Sequence, residues 1–473
     1  MKARARLLLL AAVLAAIAIA VVPSAHAQTV TTLSGTLPDG ATWKAEVPAE
    51  WNGTLLLYSH GYRFPGSSNP AVDVGDPLTG GWLLGHGFAL AGSSYARTGW
   101  AIEEGIRDQL ALLDELRQRI GQPHTTIAWG HSLGGMITAG LVQVAPDRFD
   151  GALPMCGVLA GAVGTWNQGL DSLFAFKTLL APDSGLQLVR ITDPTGNFQL
   201  AQQLLTAAQA TPQGRARLAL AAALADLPGW TDASQPEPAA GDFATMLANQ
   251  IGAIRSLGIP FGFLARAEVE ARAGGNPSWN TGVDYAHQLE LSADRQEVEA
   301  VYQQAGLDLQ ADLQTLNSAE RISADPGAVR YLTEHIVYDG DLGGDPVLAQ
   351  HTTDDPLVVV EQEQAYDSAV SRAGDSDLLR QVFVHRGGHC TFTPAEHIAA
   401  LQTLLTRIHN QSWERGQTGA SALNERAAEL GPELNVFSSG GTLVPTPPAY
   451  QNFTPAPFLR PFDLAPASAQ AAA

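Results

Sequence analysis

Three residues in this chain have the types and contexts to do chemistry together: a serine, an aspartate and a histidine, each beside a turn. Ser132 is the centre of Gly130-His131-Ser132-Leu133-Gly134. The β-branched and aromatic run Thr125-Thr126-Ile127-Ala128-Trp129 precedes it, and a helix-forming run over 136–144 follows. A serine on a tight strand-to-helix turn needs φ > 0 and neighbours without bulk, which Gly130 and Gly134 supply. A helix starting at that point aims free backbone N–H groups at developing negative charge. A hydroxyl becomes a nucleophile when a base takes its proton, and the base needs an orienting acid. Downstream, a short apolar strand at 346–351 runs into Thr352-Thr353-Asp354-Asp355-Pro356-Leu357-Val358. A second strand at 379–385 ends in Arg386-Gly387-Gly388-His389-Cys390. The chain order is serine, aspartate, histidine, with the acid and the histidine each just past a strand.

In that order and spacing the motifs resemble the α/β-hydrolase superfamily, in particular its esterase- and lipase-like serine hydrolases. The resemblance covers roughly residues 50–160 and 335–410. Carried over position by position, it implies Ser132 as nucleophile, His389 as general base and acid, and Asp355 as the residue that orients the imidazole. Asp354 is the alternative acid; Asp355 is preferred because it directly precedes the Pro356 turn. The rival histidines are His385, in the strand body, and His397, on the following helix, and neither follows a Gly-Gly turn. The resemblance also implies an oxyanion hole of two backbone N–H groups. One belongs to Leu133; the other comes from His60-Gly61-Tyr62, after the strand 54–59, with Tyr62 preferred and Gly61 behind it. A plain strand-ending turn is the alternative reading of that loop. His131 reads as a packed residue of the elbow.

These residues need a rigid frame. The run 88–95 reads as a strand buried on both faces. A helix follows, with Ile106, Leu110, Leu113, Leu116 and Ile120 on one face at 3.6 residues per turn. The elbow strand, its helix and a strand at 151–156 come next. Strands alternating with helices imply an α/β fold with a mostly parallel sheet covered on both faces, its loops at the strands' carboxyl ends. The expected organisation is a signal peptide at 1–27, a first core part at 28–157, a helical cap inserted at 158–338 after the strand that follows the elbow, a second core part at 339–430 and a Pro/Ala-rich tail at 431–473. Within the insertion, helices are expected at 200–208, 213–227, 243–257 and 294–305. Phe174, Phe176, Trp230, Phe261 and Phe263 either line a pocket over the serine or form the insertion's own core. The tail, with apolar spots at Val436-Phe437 and Phe458-Leu459, reads as an extended wrap with a disordered end after about residue 463.

The first residues set the expected compartment. A basic start, an apolar run over 7–22 and Ala25-His26-Ala27 read as a secretory signal peptide, with the mature chain beginning at Gln28. No later run is long and apolar enough to span a bilayer. A net charge of −20 disfavours nucleic acid and anionic membranes as partners. The chain has two cysteines, and in an exported protein they are expected to pair, Cys156 with Cys390. No cofactor and no metal are expected: Asp339-Gly340-Asp341-Leu342-Gly343-Gly344-Asp345 lacks the closing glutamate of a calcium loop. The reading is a secreted, extracellular or periplasmic, serine hydrolase that cleaves carboxylic esters of a small-molecule or polymeric acyl substrate. The alternatives are an exported peptidase of prolyl-oligopeptidase type and a non-catalytic hydrolase-like binding protein.

Overall fold

A computed structural model describes residues 29–439 and 441–462. The segment read as a signal peptide and the end of the tail lie outside the described residues. The strands are β1 (Val30–Thr36), β2 (Thr42–Pro48), β3 (Thr54–Ser59), β4 (Ala89–Ser93), β5 (Thr125–His131), β6 (Gly151–Met155), β7 (Val347–Asp354), β8 (Leu379–Gly387), β9 (Val436–Ser439), β10 (Thr442–Pro445) and β11 (Tyr450–Gln451). All but β9 and β10 form one sheet in the order β1-β2-β4-β3-β5-β6-β7-β8-β11. From β4 to β8 the neighbours run parallel, and antiparallel strands close both edges. This is the α/β-hydrolase architecture.

The sheet's central strands carry apolar residues on both faces, as strands covered by helices on each side must. Leu55 and Leu57 pack with Ala128 and Val347 against the helices Ile102–Ile120 and Leu133–Val144. Leu56, Ile127, Trp129 and Leu348 point the other way, toward the helix Pro394–Asn410. Every strand expected from the sequence between residues 54 and 387 is present. The β1–β2 hairpin was not foreseen, because its short alternation of half-exposed residues gives a weak signal.

In the helix Ile102–Ile120, Leu113 and Leu116 are buried, and Ile106, Leu110 and Ile120, partly buried, pack against the same cluster, as the spacing predicts. Two polar residues, Asp108 and Gln109, are buried beside them. Gln109 donates to Tyr58 O (2.6 Å) and Ser59 Oγ (2.9 Å) and accepts from Ser93 N (3.3 Å), while Asp108 accepts from Ala96 N (2.7 Å). The ends of β3 and β4 have run out of ladder partners, and two buried polar side chains satisfy them.

Between β6 and β7 the chain is helical: Gly161–Leu180, Pro194–Gln209, Pro212–Ala223, Phe243–Ala253, Arg266–Ala273, Tyr285–Leu291, Arg295–Ala305, Leu309–Ser318 and Pro326–Glu334. Asp193, Thr211, Asp242, Asp284 and Asp308 cap five of these starts, each side chain accepting first-turn N–H groups that would otherwise lack a partner. The expected helix over 243–257 ends earlier, and π-helical turns at Ile254–Gly258 and Pro260–Ala265 replace its continuation. Pro260 cannot donate an α-helical hydrogen bond, and the wider turn accommodates it. The insertion has its own apolar cluster around the helix Pro212–Ala223, and Phe174, Phe176 and Phe263 belong to it. Arg272, almost fully buried, ties insertion to sheet domain through Glu104 (2.7 Å) and Thr98 O (3.1 Å), while also pairing with Glu268 (2.8 Å). In the tail, β9 and β10 form a hairpin, β11 pairs with β8, and Phe458 and Leu459 are buried.

Candidate active site

Ser132 occupies the turn between β5 and the helix Leu133–Val144, with φ 59° and ψ −125°. Such a conformation costs a non-glycine residue roughly 1–3 kcal/mol and must be imposed by its surroundings. The Ser132 N–H donates to Met155 O at 2.9 Å, anchoring the turn to β6. A Cβ at Gly130 would lie 2.4 Å from Ser59 O, and one at Gly134 would lie 1.9 Å from the same atom. Both glycines are therefore required by the backbone of β3 crossing the elbow.

Asp355 is buried in the loop after β7. One carboxylate oxygen accepts the Leu357 and Val358 N–H groups, both at 2.9 Å, and the other meets His389 Nδ1 at 2.7 Å. The Pro356 turn supplies those N–H groups, so the sequence after Asp355 fixes its carboxylate. Asp354 is turned elsewhere: it accepts from Thr353 Oγ1 (2.6 Å) and lies 3.8 Å from His385 Nδ1. Burial pushes the Asp354 carboxyl above its ordinary pKa. It borders a cavity shared with Asp226, Asp294 and Glu361.

His389 follows Gly387-Gly388, against which Trp230 packs; a Cβ at Gly387 would come within 2.9 Å of the indole ring. Cys390 is disulfide-bonded to Cys156 with a Cα–Cα distance of 5.4 Å. Cys156 lies one residue beyond β6, and Met155 pairs with His131 on β5. The bond thus fastens the histidine loop to the strand beside the elbow. Among the described residues the structure has no side-chain hydrogen bond from Ser132. The remaining rivals have other partners. His385 meets Glu237 (3.1 Å) and Thr353 (3.2 Å). His397 contacts His131 across 2.9 Å, His131 meets the Tyr58 hydroxyl at 3.0 Å, and Asp76 lies 3.4 Å from His397. Burial, with His397 close by, depresses the His131 pKa far below the ordinary value, consistent with a packed neutral ring.

The loop after β3 runs against the serine, since a Cβ on Gly61 would be 3.3 Å from Ser132 Cβ. His60 holds that loop: its ring lies between Gly61 O (2.7 Å) and Ser94 O (3.1 Å) and stacks on Tyr95. Burial, reinforced by Arg63, pushes the His60 pKa down to about 4. Leu133 opens the helix, so its N–H belongs to the helix's unpaired first turn. Tyr62 turns its ring toward Phe64 and Phe261, each 5.1 Å away between centroids.

His351 was not singled out by sequence reasoning. Fully buried beneath Asp355, it contacts Glu363 (2.9 Å) and Val358 O (2.8 Å), and its Nε2 is 3.7 Å from the Asp355 carboxylate. Burial alone would lower its pKa, but Glu363 and then Asp355 outweigh that and raise it. A histidine inside a strand body carries no motif, so no local signal could have found it. The Asp339–Asp345 loop is built on internal turns, with Asp339 and Asp341 accepting backbone N–H groups two residues on.

A cavity of about 160 Å³ opens beside Ser132. Ser132, Leu133 and Tyr62 form its floor, Pro356 to Val359 one wall, and Trp100, Trp166, Leu173, Phe261 and Arg266 much of the rest. Phe261 is thus the one expected pocket aromatic found in the lining. Phe174, Phe176 and Phe263 are insertion core, and Trp230 supports the histidine loop.

No protein-family model matches the chain. An o-phthalyl amidase of Xanthobacter agilis is 29% identical over 456 residues, covering 89% of this chain and 97% of that protein. Among solved structures, an esterase from Aspergillus oryzae has 14% identity and a TM-score of 0.41, over 81% of this chain and 80% of that one. A rice cell wall degrading esterase from Xanthomonas oryzae has 12% identity and a TM-score of 0.37, over 80% and 88%. In the described residues no helix is long and apolar enough to cross a membrane.

Proposed function

We propose that this α/β-hydrolase is an exported serine hydrolase that cleaves carboxylic esters through an acyl-enzyme, with Ser132, His389 and Asp355 as its triad. The observation that carries the reading is the 2.7 Å contact from His389 Nδ1 to a buried carboxylate, together with a serine held in a strained elbow that lines a cavity. Asp355 cannot turn away, because two backbone N–H groups hold its other oxygen. It therefore keeps the Nδ1–H tautomer in place and leaves Nε2 free to take a proton. The Ser132–His389 hydrogen bond closes on substrate binding, as catalytic contacts in free enzymes often tighten only in the complex.

Ser132 Oγ attacks the acyl carbon while His389 Nε2 takes the hydroxyl proton. The carbonyl oxygen gains the electron pair and accepts from the Leu133 and Tyr62 N–H groups. The pair returns, the C–O bond to the leaving group breaks, and His389 protonates the departing alcohol. Water repeats the sequence, releases the acid and regenerates Ser132. Export is consistent with the signal-like start and with a disulfide, which persists in oxidising compartments.

A second reading is amide hydrolysis by the same site, favoured by the relative that is an amidase along nearly its whole length. The test is turnover by the chain from Gln28 onward of p-nitrophenyl esters and matched p-nitroanilides, with Ser132→Ala as blank. Ester turnover that the blank lacks supports the first reading. Anilide turnover equal to that of the esters moves the assignment to the amide bond. Turnover that survives in Ser132→Ala refutes both.

A further inference from the structure

Asp355 is buried, and a buried carboxylate is costly unless a counter-charge accompanies it. Among the described residues two groups lie within ion-pair distance of it, His389 and His351. In the triad reading His389 cannot be that counter-charge at rest, because its imidazole has to be neutral to take a proton from Ser132. His351 remains. Its Nε2 lies 3.7 Å from Asp355 Oδ2, the same oxygen that meets His389 Nδ1.

The partners of His351 fix which protons it carries. Nε2 is 2.8 Å from Val358 O, and a carbonyl only accepts, so Nε2 bears a hydrogen. Nδ1 is 2.9 Å from Glu363 Oε1. The other oxygen of Glu363 accepts from Gln381 Nε2 at 2.6 Å, so the carboxylate is held with one oxygen on each donor. A ring with an acceptor at each nitrogen carries two hydrogens and a positive charge. Burial would lower the His351 pKa, but Glu363 and Asp355 together raise it. His131 is the contrast. It is as deeply buried, it meets a tyrosine hydroxyl and a second imidazole instead of a carboxylate, and its pKa falls. The side chains of His351, Asp355 and Glu363 have no exposure, so no water screens the charges from one another.

We propose that His351 is a buried imidazolium, the resting counter-ion of Asp355, and thereby a positioning residue for hydrolysis. The inference rests on the Ser132–His389–Asp355 reading and adds a fourth group to it. The cation keeps Asp355 ionised, so the shared proton stays on His389 Nδ1. It also weakens the pull of Asp355 on a second proton at His389, which frees Nε2 at lower pH than an unaccompanied aspartate would. Glu363 opposes this only from the far side of the ring. His351 acts on geometry as well, since it holds Val358 O while the Val358 N–H holds Asp355 Oδ1. The other titratable groups are few. Glu361, in the loop after β7, feels the His351 charge, and His131, from β5, feels that of His389. Cys390 is in a disulfide and does not titrate.

The first test is the pH dependence of kcat/KM for a p-nitrophenyl ester in the wild type and in His351→Gln, whose amide can still donate to Val358 O. The acidic limb reports the free enzyme's base. Loss of the cation is expected to move that limb to higher pH by on the order of one unit. At the plateau kcat is expected to fall about 10- to 100-fold, the range of a small misplacement of a reacting group, with KM nearly unchanged. A loss of kcat with the limb unmoved would reduce His351 to packing and overturn the proposal. The second test needs no variant. Neutron diffraction from deuterated crystals of the wild type at pH 7.5, where an ordinary imidazole is about nine-tenths neutral, is expected to show deuterium on both His351 nitrogens. Deuterium on one nitrogen only, or on the Glu363 carboxyl, refutes it. A singly protonated His351 in an enzyme whose turnover depends on Ser132 would sink only this inference. Turnover that survives in Ser132→Ala would sink the triad reading, whatever the state of His351.

Discussion

The sheet domain and the helical insertion hold their functional groups in opposite ways. Around the elbow the constraints are local in sequence. Asp355 is fixed by N–H groups two and three residues on, and Gly130 and Gly134 flank Ser132 because β3 passes too close for a side chain. In the insertion the polar groups are held by partners far along the chain. Arg272 reaches back 168 residues to Glu104, and Arg460 reaches 289 back to Asp171 at 2.5 Å. Asp171 also accepts from Tyr285 and Gln288, so two helices and the tail share one buried carboxylate. Local constraints position the reacting atoms, and long-range pairs position the walls around them. Substitutions in the two regions should therefore fail differently, the first in rate and the second in stability.

The largest effect is expected at the elbow. Ser132→Ala should lower kcat/KM by about 10⁶-fold, as removal of a triad nucleophile does, and leave the melting temperature within a few degrees of wild type. Asp355→Asn should cost about 10⁴-fold by stabilising the wrong tautomer of His389, while Asp354→Asn should cost less than 10-fold. A reversed ranking would move the acid one residue along the chain and break the argument from the Pro356 turn.

The disulfide joins the two regimes, because a long-range bond fastens a locally built loop. Cys156 and Cys390 are 234 residues apart, so the bond constrains a very long segment of the unfolded chain. Replacing both with serine should cost about 3–5 kcal/mol, read by denaturant unfolding. It should also lower kcat, because Cys390 Sγ lies 3.5 Å from His389 Nε2. A loss of stability with kcat untouched would show that the histidine loop is held by Trp230 and the Gly-Gly turn alone. Breaking the insertion's anchor should act on stability first. Arg272→Met leaves Glu268 without its cation and Glu104 with only the more distant Arg97 at 3.7 Å, and should cost about 3 kcal/mol.

This division also explains what was legible in the sequence. The six strands around the elbow were readable because each is an apolar run ended by a turn residue. Ser132, Asp355 and His389 were readable as candidates because each lies in a turn whose residue types are fixed by backbone geometry. Arg266, Arg272 and His351 were not. Each is buried through contacts with residues that nothing in the local sequence marks, and a helix of polar residues such as Arg266–Ala273 reads as solvent-exposed. In the helix Ile102–Ile120 the apolar face was legible, but the burial of Gln109 was not, because it serves the open ends of β3 and β4, which an apolar count cannot register.

The smallest effect, and the one that sharpens the contrast most, concerns pH. In the insertion Glu297 is buried, one of its oxygens lacks a partner, and Gln250 donates to the other at 3.2 Å. Burial, with Asp294 nearby, pushes its pKa up to about 8 from an ordinary value of 4.5. Between those two values the folded protein binds a proton that the unfolded chain has released, so raising the pH through this window costs stability. The cost is complete above pH 8 and absent below about 4.5. Glu297→Gln keeps the shape and cannot ionise. It should therefore be more stable than wild type at pH 8.5, on the order of 1–2 kcal/mol, and close to it at pH 5. Melting curves of both proteins at the two pH values decide it. If the difference between the proteins does not change with pH, the Glu297 carboxylate must reach water or a partner in solution. The insertion would then be as well satisfied as the sheet.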